Sequence, residues 1–143
     1  MSTTYDTDFY AWATEQAALL RAGRLDQANI GNIAEEIESM GRIEKRELVN
    51  RLSVLLLHSL KWQAQPTGRC TSWRLSIEEQ RDRLTDHLAD NPSLKATLPV
   101  SIDIAYRLAV LGAARETGID RTTFAAAGPW RFDEIAGPEF WQD

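Results

Sequence analysis

His58, Lys61, Trp62, Gln63, Gln65, Arg69, Trp73 and Arg74 crowd the stretch from Leu55 to Arg81, where an apolar helical run breaks at Pro66 and restarts. Large aromatics, cations and amides at one helix–helix corner can do two kinds of work. Arg69, Trp73 and Arg74 lie beside the start of a helix, whose free N–H groups and positive end favour an anion held by backbone and guanidinium. The same residues can instead pin the corner structurally, with an arginine stacked on Trp62 or Trp73. Gln80 shares an apolar stripe with Trp73 and Ile77, so its amide is expected to bond backbone or a charged side chain across the core.

A second candidate centre pairs Glu36 with His58. A histidine beside a carboxylate can be a general base, a metal ligand or a satisfied core residue. Glu36 is the one of Glu35, Glu36 and Glu38 placed to reach inward, and the pairing needs an adjacent antiparallel helix. Di-iron bundles use a Glu followed three residues later by His, which neither His58 nor His87 has. No His-Glu-x-x-His is present either, leaving a mononuclear site from Glu36, His58 and one further ligand. No phosphate-cradling loop, nucleotide fingerprint or Gly-x-Ser-x-Gly elbow occurs, so no catalytic motif is recognised and any cofactor is unknown. Cys70, beside Arg69 and a helix start, has no base placed by the sequence.

The elements that must position these residues read as helices. The first spans about Asp8 to Ala22 and ends at Gly23, with Phe9, Trp12, Leu19 and Leu20 on its apolar side. Asp26 or Asn29 caps a second, with Ile30, Ile33, Ile37 and Met40 as its core side and Gly41 as its stop. A third runs from about Ile43 to Gln65, with Leu48, Leu52, Leu55 and Ser59 inward. Pro66 to Gly68 form the turn, and a fourth spans Ser72 to about Ala89, with Trp73, Ile77, Gln80, Leu84 and Leu88 on one side. Asn91-Pro92 reads as a cap and first helical position. Pro99 opens or kinks the last long helix, where Ile102, Ala105, Leu108 and Ala109 face inward until Gly118. The tail, 124–143, is aromatic-rich and irregular, and is expected to wrap over the bundle rather than expose its rings. The fold expectation is therefore one all-α domain over 1–143, a bundle of four to five main helices.

Several blocks in order resemble an uncharacterised bacterial family, domain of unknown function family 29. They are Tyr5-Asp6, Asp8 to Trp12 and Glu15-Gln16, then Asn32 to Glu38, Glu44 to Leu48, and His58 with Leu60 to Gln63. Ser72 to Arg74, Gln80-Arg81, Pro92 to Leu94, Ala105-Tyr106 and Glu116-Thr117 continue the match. The resemblance covers nearly the whole chain, implies a compact helical fold and supplies no activity. One departure is Gly128-Pro129, where the family pattern leads one to expect a cysteine before the tail proline.

Composition narrows the function classes. Residues 1–41 hold seven acids and two bases, 42–83 five acids and nine bases, and 84–143 nine acids and five bases. An acidic protein with one mildly basic middle is a poor nonspecific nucleic-acid binder, because that affinity comes from neutralising phosphates. Basic residues such as Lys45, Arg46 and Arg51 are the only place for it. One cysteine excludes an internal disulfide and points to a reducing cytoplasm. The longest uninterrupted aliphatic run, Val54 to Leu57, is too short for a bilayer, and the N-terminus, with Asp6 and Asp8 and no basic leader, reads as no secretory signal. The expected function is a small cytoplasmic binding or protein-interaction module, with a protein partner or a small anionic ligand. The competing reading is a metal- or anion-binding enzyme built on Glu36, His58 and the corner of Trp62, Arg69, Trp73 and Arg74.

Overall fold

A computed structural model describes residues 4–141. Among them the chain is all-α and contains no strand. Its helices are α1 (Thr4–Thr7), α2 (Phe9–Arg21), α3 (Ile30–Ala64), α4 (Thr71–Asp90), α5 (Leu98–Thr117) and α6 (Phe132–Ile135). Short 3₁₀ turns at Pro66–Gly68, Pro92–Thr97 and Arg121–Thr123 join them. Contacts divide the chain into two compact units, Met1–Ile43 and Glu44–Asp143.

The first unit is a small hairpin. Asp8 caps α2 by accepting a hydrogen bond from the Ala11 N–H, and Gly23 leaves the helix at φ +73°, a conformation glycine adopts without steric cost. Asn29 starts α3 by accepting from the Asn32 N–H, while Gln16 reaches across to accept from the Asn29 N–H at 2.6 Å. Trp12 is buried, and Tyr5 and Phe9 close over it in tilted and edge-on contacts.

Two expectations fail here. Gly41 does not stop a helix: α3 runs unbroken through it, and Gly41 has no positive φ. A left-handed stop needs more than a glycine. The residues that follow, Arg42 to Glu47, are mostly good helix formers, so the chain tolerates one interior glycine at a cost of about 1 kcal/mol. Nor do Ile30, Ile37 and Met40 form a core side; all three are exposed. The half-buried positions are Asn32, Ile33, Glu36 and Ser39, the neighbouring face of the same helix.

The second unit carries the main core. Leu48, Leu52, Leu55, Leu56, Ser59 and Leu60 of α3 are buried against Ile77, Leu84 and Leu88 of α4 and Ala105, Tyr106, Ala109 and Ala113 of α5. The alanines give α5 a narrow face, and Gly112 lets it come close to α3: a Cβ there would stand 2.4 Å from Leu57 Cδ1. Leu108, expected inward, is exposed instead, since Ala105, Ala109 and Ala113 place the core on the adjacent stripe. Gly118 ends α5 at φ +76°. The tail returns over this unit. Ile135 is fully buried, and Phe124, Trp130, Phe132, Phe140 and Trp141 pack against the core.

The helical run Pro92–Thr117 is long and apolar enough, by length and composition, to cross a membrane, although no single aliphatic run in it suggests so. It also contains Lys95, Asp103 and Arg107, and its Ala105, Tyr106 and Ala109 are core residues of the second unit.

An added Cβ at Gly41 meets nothing within 4 Å. Gly41→Ala is therefore expected to raise stability by about 0.5–1 kcal/mol in urea unfolding. A loss of stability would show that Gly41 has a conformational or packing role.

Candidate functional site

The corner after Pro66 is built from three helices and the tail. The turn Pro66–Gly68 brings the end of α3 back toward the start of α4, and Gly68 faces the Trp73 indole so closely that a Cβ would lie 2.9 Å from it. Arg69 donates from Nε to the Trp62 carbonyl at 2.8 Å and stacks its guanidinium 5.1 Å from the Trp62 ring centre. Trp62 also meets Trp141, with ring centres 4.9 Å apart. Arg74 and Arg81 lie 5.3 and 4.9 Å from the Trp141 centroid. Arg74 also donates from Nε to Glu78 at 3.3 Å. Trp62, Arg69, Trp73 and Arg74 are thus brought together at one corner, with cations against the rings of Trp62, Trp73 and Trp141.

Two residues to which the sequence assigns no role of their own, Lys61 and Arg81, are central to this corner. Lys61 is buried, donates to Glu116 of α5 at 3.0 Å and sits 4.7 Å from the Trp73 ring centre. Arg81 is only 4% exposed. It donates from Nε to the Ile135 carbonyl at 2.8 Å and from Nη2 to the Phe140 carbonyl. Burial lowers its pKa from the usual arginine value, and Glu78 opposes that shift. Its apolar neighbours Ile77 and Leu84 were readable from periodicity; a charge flanked by Asp82 and Arg83 reads as solvated. Gln80 departs from expectation, since its buried Oε1 has no hydrogen-bond partner among the described residues.

Glu36 and His58 are not assembled by an antiparallel neighbour, because both stand on the single helix α3. Glu36 accepts a hydrogen bond from the Tyr5 hydroxyl at 2.5 Å. His58 Nδ1 faces the Val54 carbonyl at 2.9 Å, one turn back on its own helix. Among the described residues, no group of three or more His, Cys, Asp or Glu side chains could hold a metal ion. Cys70, the residue before α4, is an exposed free thiol.

The arrangement defines an all-α protein whose polar corner is layered from cations, rings and main-chain carbonyls. The chain belongs to the family described as domain of unknown function DUF29, whose model matches residues 4–141. No curated protein and no solved structure matches it.

The Tyr5–Glu36 contact carries a pH prediction. Donation to the Glu36 carboxylate is the main cause that pushes the Tyr5 phenol up from 10.0 to about 12. The folded state therefore favours the protonated phenol. Its contribution is complete below the unfolded value of 10.0 and is lost as pH rises through about 12. Glu36→Gln should return the Tyr5 titration toward 10.0 in an ultraviolet phenolate titration. An unchanged curve would mean that Glu36 does not hold the proton.

Proposed function

We propose that this chain is a cytoplasmic protein-interaction module whose N-terminal hairpin receives an amphipathic helix from a partner protein. One observation carries the reading: Ile30, Ile37 and Met40 are 52%, 59% and 59% exposed on α3. Their spacing of seven and three residues is the spacing of a helix seam. Three large apolar side chains repeating at that interval on one uncovered stripe are more than the single exposed leucine that any surface carries. A helix laid in a groove is read through such anchors.

Charge gives the partner its chemistry. Residues 1–43 carry seven acids and three bases, so a partner helix with basic flanks fits best. The exposed Arg42–Glu35 pair at 3.0 Å contributes little to folding and leaves the rest of the acidic flank available. An exposed free thiol at Cys70 suits a reducing compartment. The corner at Trp62 supports an anion-binding reading less well, because Arg69 and Arg74 already have rings and hydrogen-bond acceptors of their own.

The test is affinity purification of the full chain from its host, compared with Ile37→Asp/Met40→Asp. Both positions are exposed, so helicity by circular dichroism should be kept. Recovery of the partner should fall by at least about tenfold, as expected when anchor side chains of an interface are lost. Equal recovery with the double variant, or no specific partner with the parent chain, would refute the reading.

A further inference from the structure

On the second unit, away from the Trp62 corner, a groove of about 500 Å³ lies between α5 and the segment that follows Gly118. That volume falls within the range of about 300–1,000 Å³ usual for small-ligand clefts. Its apolar surface comes from Tyr106, Val110, Leu111 and Phe124. Tyr106 is buried, Val110 and Phe124 are half-buried, and Leu111 is exposed, so the surface grades from core to solvent. The outer wall is held in place by two local devices. The Tyr106 hydroxyl donates to the Ala125 carbonyl at 2.8 Å. The Asp120 carboxylate closes the 3₁₀ turn by accepting from the Thr122 N–H at 2.9 Å and hydroxyl at 2.7 Å.

The rim is cationic. Arg107 and Arg121 both line the groove and are exposed, and no Asp or Glu lines it. Neither guanidinium has a hydrogen-bond or ion-pair partner among the described residues, in contrast to Arg69, Arg74, Arg81 and Arg131. The nearest acid in sequence to Arg121 is Asp120, whose carboxylate is hydrogen-bonded to Thr122; that bonding, with a smaller contribution from the charge of Arg121, holds its pKa below the usual value. Asp103, one turn before Arg107, makes no ion pair with it among the described residues. Two exposed guanidiniums with no hydrogen-bonded or ion-paired partner among the described residues, beside an apolar floor, suit an apolar body ending in a carboxylate, which accepts paired N–H donors.

We propose that this groove binds an amphipathic carboxylate, its hydrocarbon lying on Tyr106, Val110, Leu111 and Phe124 and its carboxylate reached by Arg107 and Arg121. The site is independent of the N-terminal hairpin and of the Trp62 corner. No bond is made or broken; the ligand is held by burial of its chain and by charge-assisted hydrogen bonds to its head.

The experiment is an amide NMR titration of the full chain with decanoate below its micellar range, with decanol as the uncharged control. Saturable shifts are expected at Arg107, Val110, Leu111, Arg121, Phe124 and Ala125. Loss of one charge-assisted hydrogen bond corresponds to about tenfold in affinity. Decanol should therefore bind at least about tenfold more weakly, and Arg107→Gln/Arg121→Gln should weaken decanoate by a similar factor. Leu111→Glu, at an exposed position, should block binding by a separate route. Equal affinity for decanol, shifts centred elsewhere, or undiminished binding by either variant would overturn the proposal.

Discussion

The second unit depends on one buried cation. Arg81 sits inside α4 among Ile77, Leu84 and Leu88, where desolvating a guanidinium is costly unless its donors find acceptors. Acceptors for Nε and Nη2 come from the tail, as the main-chain carbonyls of Ile135 and Phe140, and the Trp141 ring covers the group, while the buried Nη1 has no partner among the described residues. The dependence runs both ways. Without the tail the guanidinium would be stranded, and without the guanidinium two carbonyls would lose their donor. Ile135 reaches full burial because α6 is set down at this point, and Trp141 is carried to Trp62, on whose ring Arg69 also stacks. Lys61 repeats the design at smaller scale, joining α3 to α5 through Glu116 while lying over Trp73.

Much of this fold was legible where physics is local. The buried stripe of Leu48, Leu52, Leu55 and Ser59 follows from helical period alone, as do Ile77, Leu84 and Leu88. Asn29 as a cap and Gly23 and Gly118 as helix ends are local chemistry too. The misreadings share a different cause. Gly41 carries the same signal as Gly23, but what decides between a stop and a tolerated interior glycine is the neighbouring sequence and packing. Ile30, Ile37 and Met40 have the spacing of a core face, and spacing cannot say whether anything covers it. Leu108 loses its inward place to alanines because α5 packs close, with Gly112 over Leu57. Arg81 was invisible because its partners are carbonyls, and a carbonyl has no side-chain signature.

The candidate site divides along the same line. Trp62, Arg69, Trp73 and Arg74 were found as a group because they flank one turn, and their proximity is a consequence of chain geometry. The pairing of Glu36 with His58 presupposed two antiparallel helices. With α3 continuous, each residue has its own separate partner, Tyr5 of α1 for Glu36 and the Val54 carbonyl for His58. Two surfaces then stand out by their unmet chemistry. One is the acidic hairpin with its uncovered apolar stripe. The other is the groove of α5, where apolar wall and unpaired guanidinium lie side by side. Each carries a separate proposal, and neither uses the cations of the Trp62 corner.

Whether Arg81 clamps the tail decides what holds the second unit closed. Hydrogen exchange should be measured on the amides of Ile135, Ala136, Gly137 and Phe140, each hydrogen-bonded within the tail, in the parent chain and in Arg81→Met. With the clamp removed, these amides should exchange at least about tenfold faster, equivalent to losing one charge-assisted hydrogen bond, while those of Leu52 to Leu60 stay protected. Tail protection unchanged in Arg81→Met would contradict a clamp by Arg81, and would mean that burial of Ile135 and Trp141 alone holds the tail in place.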